Sequence, residues 1–247
     1  MRALLGDEAF RREHGWYLSG VEPGMPSAGS RPGTCRVCGS PVRAGYSGCP
    51  RCDAVGAAVA ATGEPFPLDS VAFLTYAVEG AELAGRAGSG SAEDPREREG
   101  RQAYAVLKGY KADGAPPRMR TDAAAWTTWF LQRWGPQAAW PARSPDREWR
   151  WATVPSVRSG RRGEHPFHRL VAALLSAERE VPIRALETPG GRDFNPARFE
   201  CGPIPAGAPV LVLDDSWTSG ANVFSAAAAM RRAGAGAVAA MVLGRLL

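Results

Sequence analysis

Asp214 and Asp215 close the apolar run Pro209-Val-Leu-Val-Leu213, and Ser216-Trp-Thr-Ser-Gly-Ala-Asn222 follows them. The run predicts a strand buried on both faces, as in a parallel sheet, that ends on the two acids. Beyond the turn, Val223–Arg232 has strong helix formers, arginines in its last turn and Gly234 as a stop, which predicts a helix. A strand, turn and helix in this order bring backbone N–H groups, the hydroxyls of Thr218 and Ser219, and the positive end of a helix dipole to one point. That point suits a phosphate dianion. Gly220 and Ala221 keep the turn small enough for close approach, and Asn222 can hydrogen-bond phosphate or cap the helix. Open α/β sheets bind ligands at the carboxyl ends of their strands, and two carboxylates there match a ribose diol. Phosphate and diol together describe a ribose phosphate. The competing reading is a doubly wound domain whose acidic strand end has no special use.

A second group is Cys35-Arg-Val-Cys38 and, ten residues later, Cys49-Pro-Arg-Cys52. Two Cys-x2-Cys knuckles, with Gly39 and Gly48 beside them for tight turns, can wrap Cys35, Cys38, Cys49 and Cys52 tetrahedrally around one zinc ion. Four protein ligands leave no position for water, so the expected role of the zinc is structural. In a reducing compartment such a pattern favours metal over disulfides. Cys201 is left over and reads as a small packing residue, because no activating partner is evident.

The stretch Val210 to Ala221 resembles the signature of the type I phosphoribosyltransferases: an aliphatic strand, two acids, two variable residues, then Thr-Thr/Ser-Gly. Ser216 stands where that family customarily has an aliphatic residue, and Asn222 where it has Thr or Ser. A zinc knuckle ahead of such a domain resembles the layout of the ComF family, whose members are amidophosphoribosyltransferase-like. The resemblance covers most of residues 35 to 247. It implies an α/β fold, a doubly wound and mostly parallel sheet preceded by a small four-cysteine zinc module. It also implies phosphoribosyl pyrophosphate as ligand, with magnesium held mainly by the ligand's own oxygens, and glycosyl transfer to a nitrogenous acceptor. Asp214 and Asp215 would bind the ribose hydroxyls and stabilise an oxocarbenium-like transition state, and Thr218 to Asn222 would hold the phosphate.

Two further loops enter through the same resemblance. Val154-Pro-Ser-Val-Arg-Ser-Gly-Arg-Arg-Gly163 resembles the ComF element at the pyrophosphate-loop position, and Arg158, Arg161 and Arg162 would fork onto diphosphate oxygens. Three arginines near a turn are also what a solvated turn carries. Glu164-His165-Pro166-Phe167 departs from the usual continuation of the element. His165 reads as an acid/base group or ligand contact, and His168 as facing solvent or the helix exterior. Glu187 to Phe199 occupies the place of the flexible loop that closes over the reacting centre, with Gly190-Gly191 for mobility and Arg192, Asn195, Arg198 and Phe199 resembling its closing residues. Arg192 is the catalytic candidate there. The loop is short, which limits exclusion of water and hence turnover.

These groups need a scaffold, and 247 residues at 45% hydrophobic composition are enough for a good-sized domain plus a small module. The expected division is an N-terminal helix and linker over 1–33, a four-cysteine zinc module over 34–62 and the phosphoribosyltransferase-like domain over 63–247. Within the last, Asp69–Val78 reads as a strand, Gly85–Glu99 as a mobile loop, and Glu97–Lys111 as a helix with Tyr104, Leu107 and Tyr110 on one side. Its end resembles the family's Leu-Lys-Tyr element, so Lys111 is either a ligand contact or a solvated cation. Thr121–Trp134 reads as a helix capped by Thr121, with Trp126, Trp129, Phe130 and Trp134 facing the core or, less simply, a base. Arg150–Pro155, Pro166–Glu180 and Val181–Leu186 form an expected βαβ unit.

The net charge of +5 and pI near 9.2 suit a polyanionic ligand and are compatible with nucleic acid. No run approaches the ~20 apolar residues of a membrane span, and no secretory leader is evident, so the expected location is the cytoplasm. The alternative to an enzyme is a non-catalytic ComF-like module. It would sense phosphoribosyl pyrophosphate or a nucleotide, or engage single-stranded DNA or a protein partner through the zinc module. A scaffold that kept the fold without the ligand is the third reading. No motif names an acceptor.

Overall fold

The computed structural model describes residues 35–39, 42–77, 103–133, 148–157, 165–186 and 193–246. The fold is mixed α/β, around a four-stranded sheet with strand order β1-β6-β5-β2. Its strands are β1 (Ser70–Ala77), β2 (Arg150–Thr153), β5 (Pro209–Trp217) and β6 (Ala237–Leu246), and every pairing in it is parallel. The helices are α1 (Pro50–Ala61), α2 (103–109), α3 (Pro117–Arg133), α4 (Pro166–Ala172) and α5 (Ala221–Arg232). A small antiparallel pair, β3 (Ile183–Ala185) with β4 (Phe199–Cys201), stands apart from the main sheet.

Parallel strands with helices on both faces need side chains that are apolar at every position, and β5 meets that demand. Val210 and Val212 enter one buried cluster with α5, while Leu211 and Leu213 enter another with α2, α3 and α4. Alanines on α5 (Ala226 to Ala229) and on β6 (Ala239, Ala240) let helix and sheet approach closely. Trp126, Trp129 and Phe130 are all buried in the second cluster, so these aromatics pack the core.

Several elements differ from the sequence expectation. β5 does not end on its acids: Asp214, Ser216 and Trp217 pair with Val242, Gly244 and Arg245, because β6 is long enough to carry the ladder onward. β6 itself has no counterpart in the sequence reading, which ends at Gly234. α3 begins at Pro117, a residue whose fixed φ and missing N–H suit a first helical position. Thr121 therefore lies inside the helix, and its hydroxyl bonds to the Pro117 carbonyl at 3.1 Å instead of capping. α5 starts at Ala221 with Gly220 as its N-cap, so Asn222 belongs to the first turn and does not cap.

The expected βαβ unit is also broken. α4 ends at Ala172, and a 3-10 turn, Ala177–Arg179, follows it. Glu180 bridges Trp151, and the Val181 N–H reaches the Trp151 carbonyl at 2.8 Å. Pro182 then has no N–H to continue a ladder, and the chain leaves the sheet to form β3. The expected N-terminal helix and linker, the 85–99 loop and Trp134 lie outside the described residues. No helix among the described residues is long and apolar enough to cross a membrane.

Candidate functional site

Asp215 sits on the α2 side of β5 and is 2% exposed. Residues that follow α2 supply its partners: the Lys111 ammonium lies 2.6 Å from Oδ2, and the Tyr110 hydroxyl donates to the same oxygen. The Tyr110 N–H bonds to the Val106 carbonyl at 3.0 Å, so the helix end itself sets where both side chains point. Burial alone would raise the Asp215 pKa. The charges of Lys111 and His165, with the hydrogen bonds from Lys111 and Tyr110, outweigh it and hold the carboxyl below its ordinary value.

Asp214 points to the other face and is half-buried. Its Oδ1 accepts the Asp215 N–H at 2.8 Å. Burial, then the charge of Asp215, push its pKa up to about 8, against the opposing pull of Lys111 and of the Asp215 and Ser216 N–H groups. Water at its partly exposed edge moderates that push without changing its direction. Two neighbouring carboxyls thus have environments that separate their ionisation: one is a fixed anion, and the other holds a proton into the neutral range.

The turn after β5 is pinned from behind. The Thr218 carbonyl accepts from Arg245 Nη1 at 2.7 Å and from Arg51 Nη1 at 3.0 Å, and Arg245 also reaches the Trp217 carbonyl at 3.0 Å. Gly220 has φ +81°, and a Cβ there would lie 2.2 Å from the Trp217 ring, so only glycine fits this corner. Trp217 is buried edge-on against Phe73 and Phe224, which fixes the corner's floor. Ser219 Oγ accepts from the Ala221 N–H at 3.3 Å, and the first helical bond runs from the Phe224 N–H to the Gly220 carbonyl at 2.9 Å. The opening N–H groups of α5 consequently start at this turn.

Asn222 is tied to the neighbouring loop. Its Oδ1 accepts from Arg198 Nη1 at 2.5 Å, and Arg198 is itself buried, which lowers its pKa despite the opposing charge of Asp193. Asn195 caps the 3-10 turn Pro196–Arg198 through the Ala197 N–H at 2.9 Å, and its own N–H donates to Ser225 Oγ at 3.1 Å. The end of the Glu187–Phe199 loop is therefore fastened to α5. Arg192, like Arg158, Arg161 and Arg162, lies outside the described residues. His165 caps α4, accepting the Phe167 N–H on Nδ1 at 3.2 Å. His168 does not face solvent. It is half-buried beside the Trp151 ring, with Nδ1 2.9 Å from Thr153 Oγ1 and Nε2 3.7 Å from Glu180.

The four cysteines of the two knuckles converge. Their Sγ atoms all lie within 4.8 Å of one another, all four residues are buried, and none of them is in a disulfide. A tetrahedral zinc with Zn–S near 2.3 Å needs S···S of about 3.8 Å; Cys38 and Cys49 stand at 3.7 Å. The cluster can hold a metal ion. The Arg36 N–H to the Ser47 carbonyl, 2.8 Å, ties the two knuckles together. Burial and the neighbouring Cys38 raise the Cys49 pKa, and the Cys38 hydrogen bond with burial raises that of Cys52. The cluster belongs to the same buried core as β5 and α5. Cys201 is half-buried, and burial pushes its thiol up to about 11, which suits packing and not nucleophilic attack.

Tyr110, Arg245 and Arg51 are the contributors that sequence reasoning misses. The sequence places Tyr110 only on an apolar helix face, and a buried arginine in an apolar strand carries no local signal. Arg51 reads only as a spacer between two ligands. No family model, curated protein or solved structure matches the chain.

Proposed function

We propose that the end of β5 and the turn into α5 bind a ribose phosphate, with phosphoribosyl pyrophosphate or a nucleotide as the ligand. The supporting observation is the Asp214–Asp215 pair among the last residues of a parallel strand that ends at Trp217, followed closely by a glycine-cornered turn at a helix start. Asp215, kept anionic, supplies a fixed negative charge near the ribose. Asp214, kept protonated, can donate to a sugar oxygen as well as accept. The turn offers Thr218, Ser219 and the opening N–H groups of α5 to the phosphate.

In the catalytic form of this reading, the bond from the anomeric carbon to diphosphate breaks and diphosphate leaves with the electron pair. A nitrogen of the acceptor forms the new bond and loses a proton to solvent. Asp215 stabilises the positive charge that develops on the sugar. Arg158, Arg161, Arg162 and Arg192 would serve the diphosphate, and magnesium would travel with it. In the cysteine cluster, Cys35, Cys38, Cys49 and Cys52 would hold zinc, which supplies a structural cross-link.

Calorimetry with phosphoribosyl pyrophosphate and magnesium tests the reading. Saturable one-to-one binding that weakens at least about tenfold in a folded Asp214→Asn, Asp215→Asn double variant is the expected result. Equal affinity in that variant, or no binding by the wild type, would refute it. Diphosphate release in single-turnover mixtures with a panel of amines and bases then separates transfer from binding alone.

A further inference from the structure

The Thr218 carbonyl is held by two guanidinium groups from distant parts of the chain, Arg245 of β6 and Arg51 of α1. Arg51 lies between Cys49 and Cys52, the ligand pair of the second knuckle, and Cys52 is buried within the core. A trans peptide is planar, with its C=O and N–H opposed. Fixing the Thr218 oxygen toward the two arginines therefore turns the Ser219 N–H away from them. Arg245 is 3% exposed and cannot easily shift. Arg51 is exposed, and its position depends on how the cysteine knuckle is folded.

We propose that Arg51 is a positioning residue for the Thr218–Ser219 peptide, and that metal loading of the cysteine cluster sets the geometry of this turn through it. A metal ion held by all four sulfurs cross-links the two knuckles, because binding such an ion and folding the segment that carries its ligands are one coupled step. With metal bound, the first turn of α1 is fixed and Arg51 reaches Thr218. Without metal, the knuckle relaxes and the second guanidinium withdraws. The inference rests on the ribose phosphate reading for its consequence, namely ligand affinity, but the clamp itself has a signature in the ligand-free protein.

The experiment uses the whole chain, with amide hydrogen exchange, zinc analysis and calorimetry run on the same samples. Arg51→Ala should retain its full equivalent of zinc, exchange faster over residues 218–222 with α3 unchanged, and bind phosphoribosyl pyrophosphate about three- to tenfold more weakly, the loss of one charge-assisted hydrogen bond. Arg51→Lys, which keeps a cationic donor, should recover part of both effects. Removing the metal from wild type with a chelator should speed exchange in the same segment. Unchanged exchange at 218–222 in Arg51→Ala would overturn the proposal, and so would metal loss in that variant or an equal acceleration in α3. If the exchange pattern appears but wild type binds no phosphoribosyl pyrophosphate, the clamp stands and the ligand assignment falls.

Discussion

Lys111 Nζ and Asp215 Oδ2 lie 2.6 Å apart, joining the end of α2 to the strand that carries the candidate site. The ammonium holds in its ionised form a carboxyl that has almost no access to water. Removing the cation would strand a buried anion, a loss that exceeds what the pair itself contributes.

Lys111→Met should therefore destabilise the fold at pH 7 by about 2–4 kcal/mol in denaturant unfolding. The sign follows from the depressed pKa of Asp215: its contribution is present above the unfolded carboxyl pKa and fades as pH falls through the folded value. The deficit of the variant should accordingly shrink in acid. A deficit that stays constant from neutral pH down to acid would place Lys111 outside the energetics of this site.

Asp214 works in the opposite direction. Its raised pKa favours folding while it is protonated, so its contribution is full below the unfolded carboxyl value and is lost as pH climbs through about 8. Asp214→Asn, which keeps the shape without the charge, should gain on the order of 1 kcal/mol over wild type at about pH 8.5 and nothing at about pH 4. Unfolding midpoints measured across that range decide it.

The cysteine cluster should bind one equivalent of zinc in the purified chain. Cys38→Ser should abolish it, lower the unfolding midpoint and expose the remaining thiols to alkylation. Elemental analysis with a thiol titration checks this; less than half an equivalent, with freely reactive thiols in the native wild type, is the contrary outcome.

Gly220→Ala should cost roughly 1–3 kcal/mol, because alanine is strained at positive φ and its Cβ meets the Trp217 ring. Trp217→Phe in the same chain should recover part of that cost by removing the benzo edge of the indole. Thermal unfolding of the two single variants and the double variant gives the coupling directly; strict additivity would show that the ring contact is immaterial.

The parts of the molecule that follow from local pattern are readable in the sequence. β5 and α5 come from an aliphatic run and an alanine-rich run joined at a glycine, and the cysteine cluster comes from spacing alone. What is not readable depends on residues distant in sequence. β5 extends past Asp215 only because β6 lies beside it, and Lys111 is fixed only because α2 ends over Asp215. The loss of the βαβ unit is an intermediate case: Pro182 stands in plain view inside the expected strand, and its missing N–H is a sufficient warning. Apolar character argues for a strand of the main sheet, whereas in the structure the ladder stops there.

The order of strands gives this molecule a particular relation to its own synthesis. β6, last of the described strands to leave a ribosome, is an inner strand, and it is the main-sheet partner of β1 across a separation of 169 positions between Asp69 and Val238. β2 likewise waits for β5. A nascent chain stalled before Ala237 therefore carries β1 with its native partner missing and one edge of β5 bare, both apolar and both competent to pair with another chain. Vectorial production leaves the sheet open until β6 closes its centre, so a chain with β6 in place and one without it present very different hazards to a crowded cell.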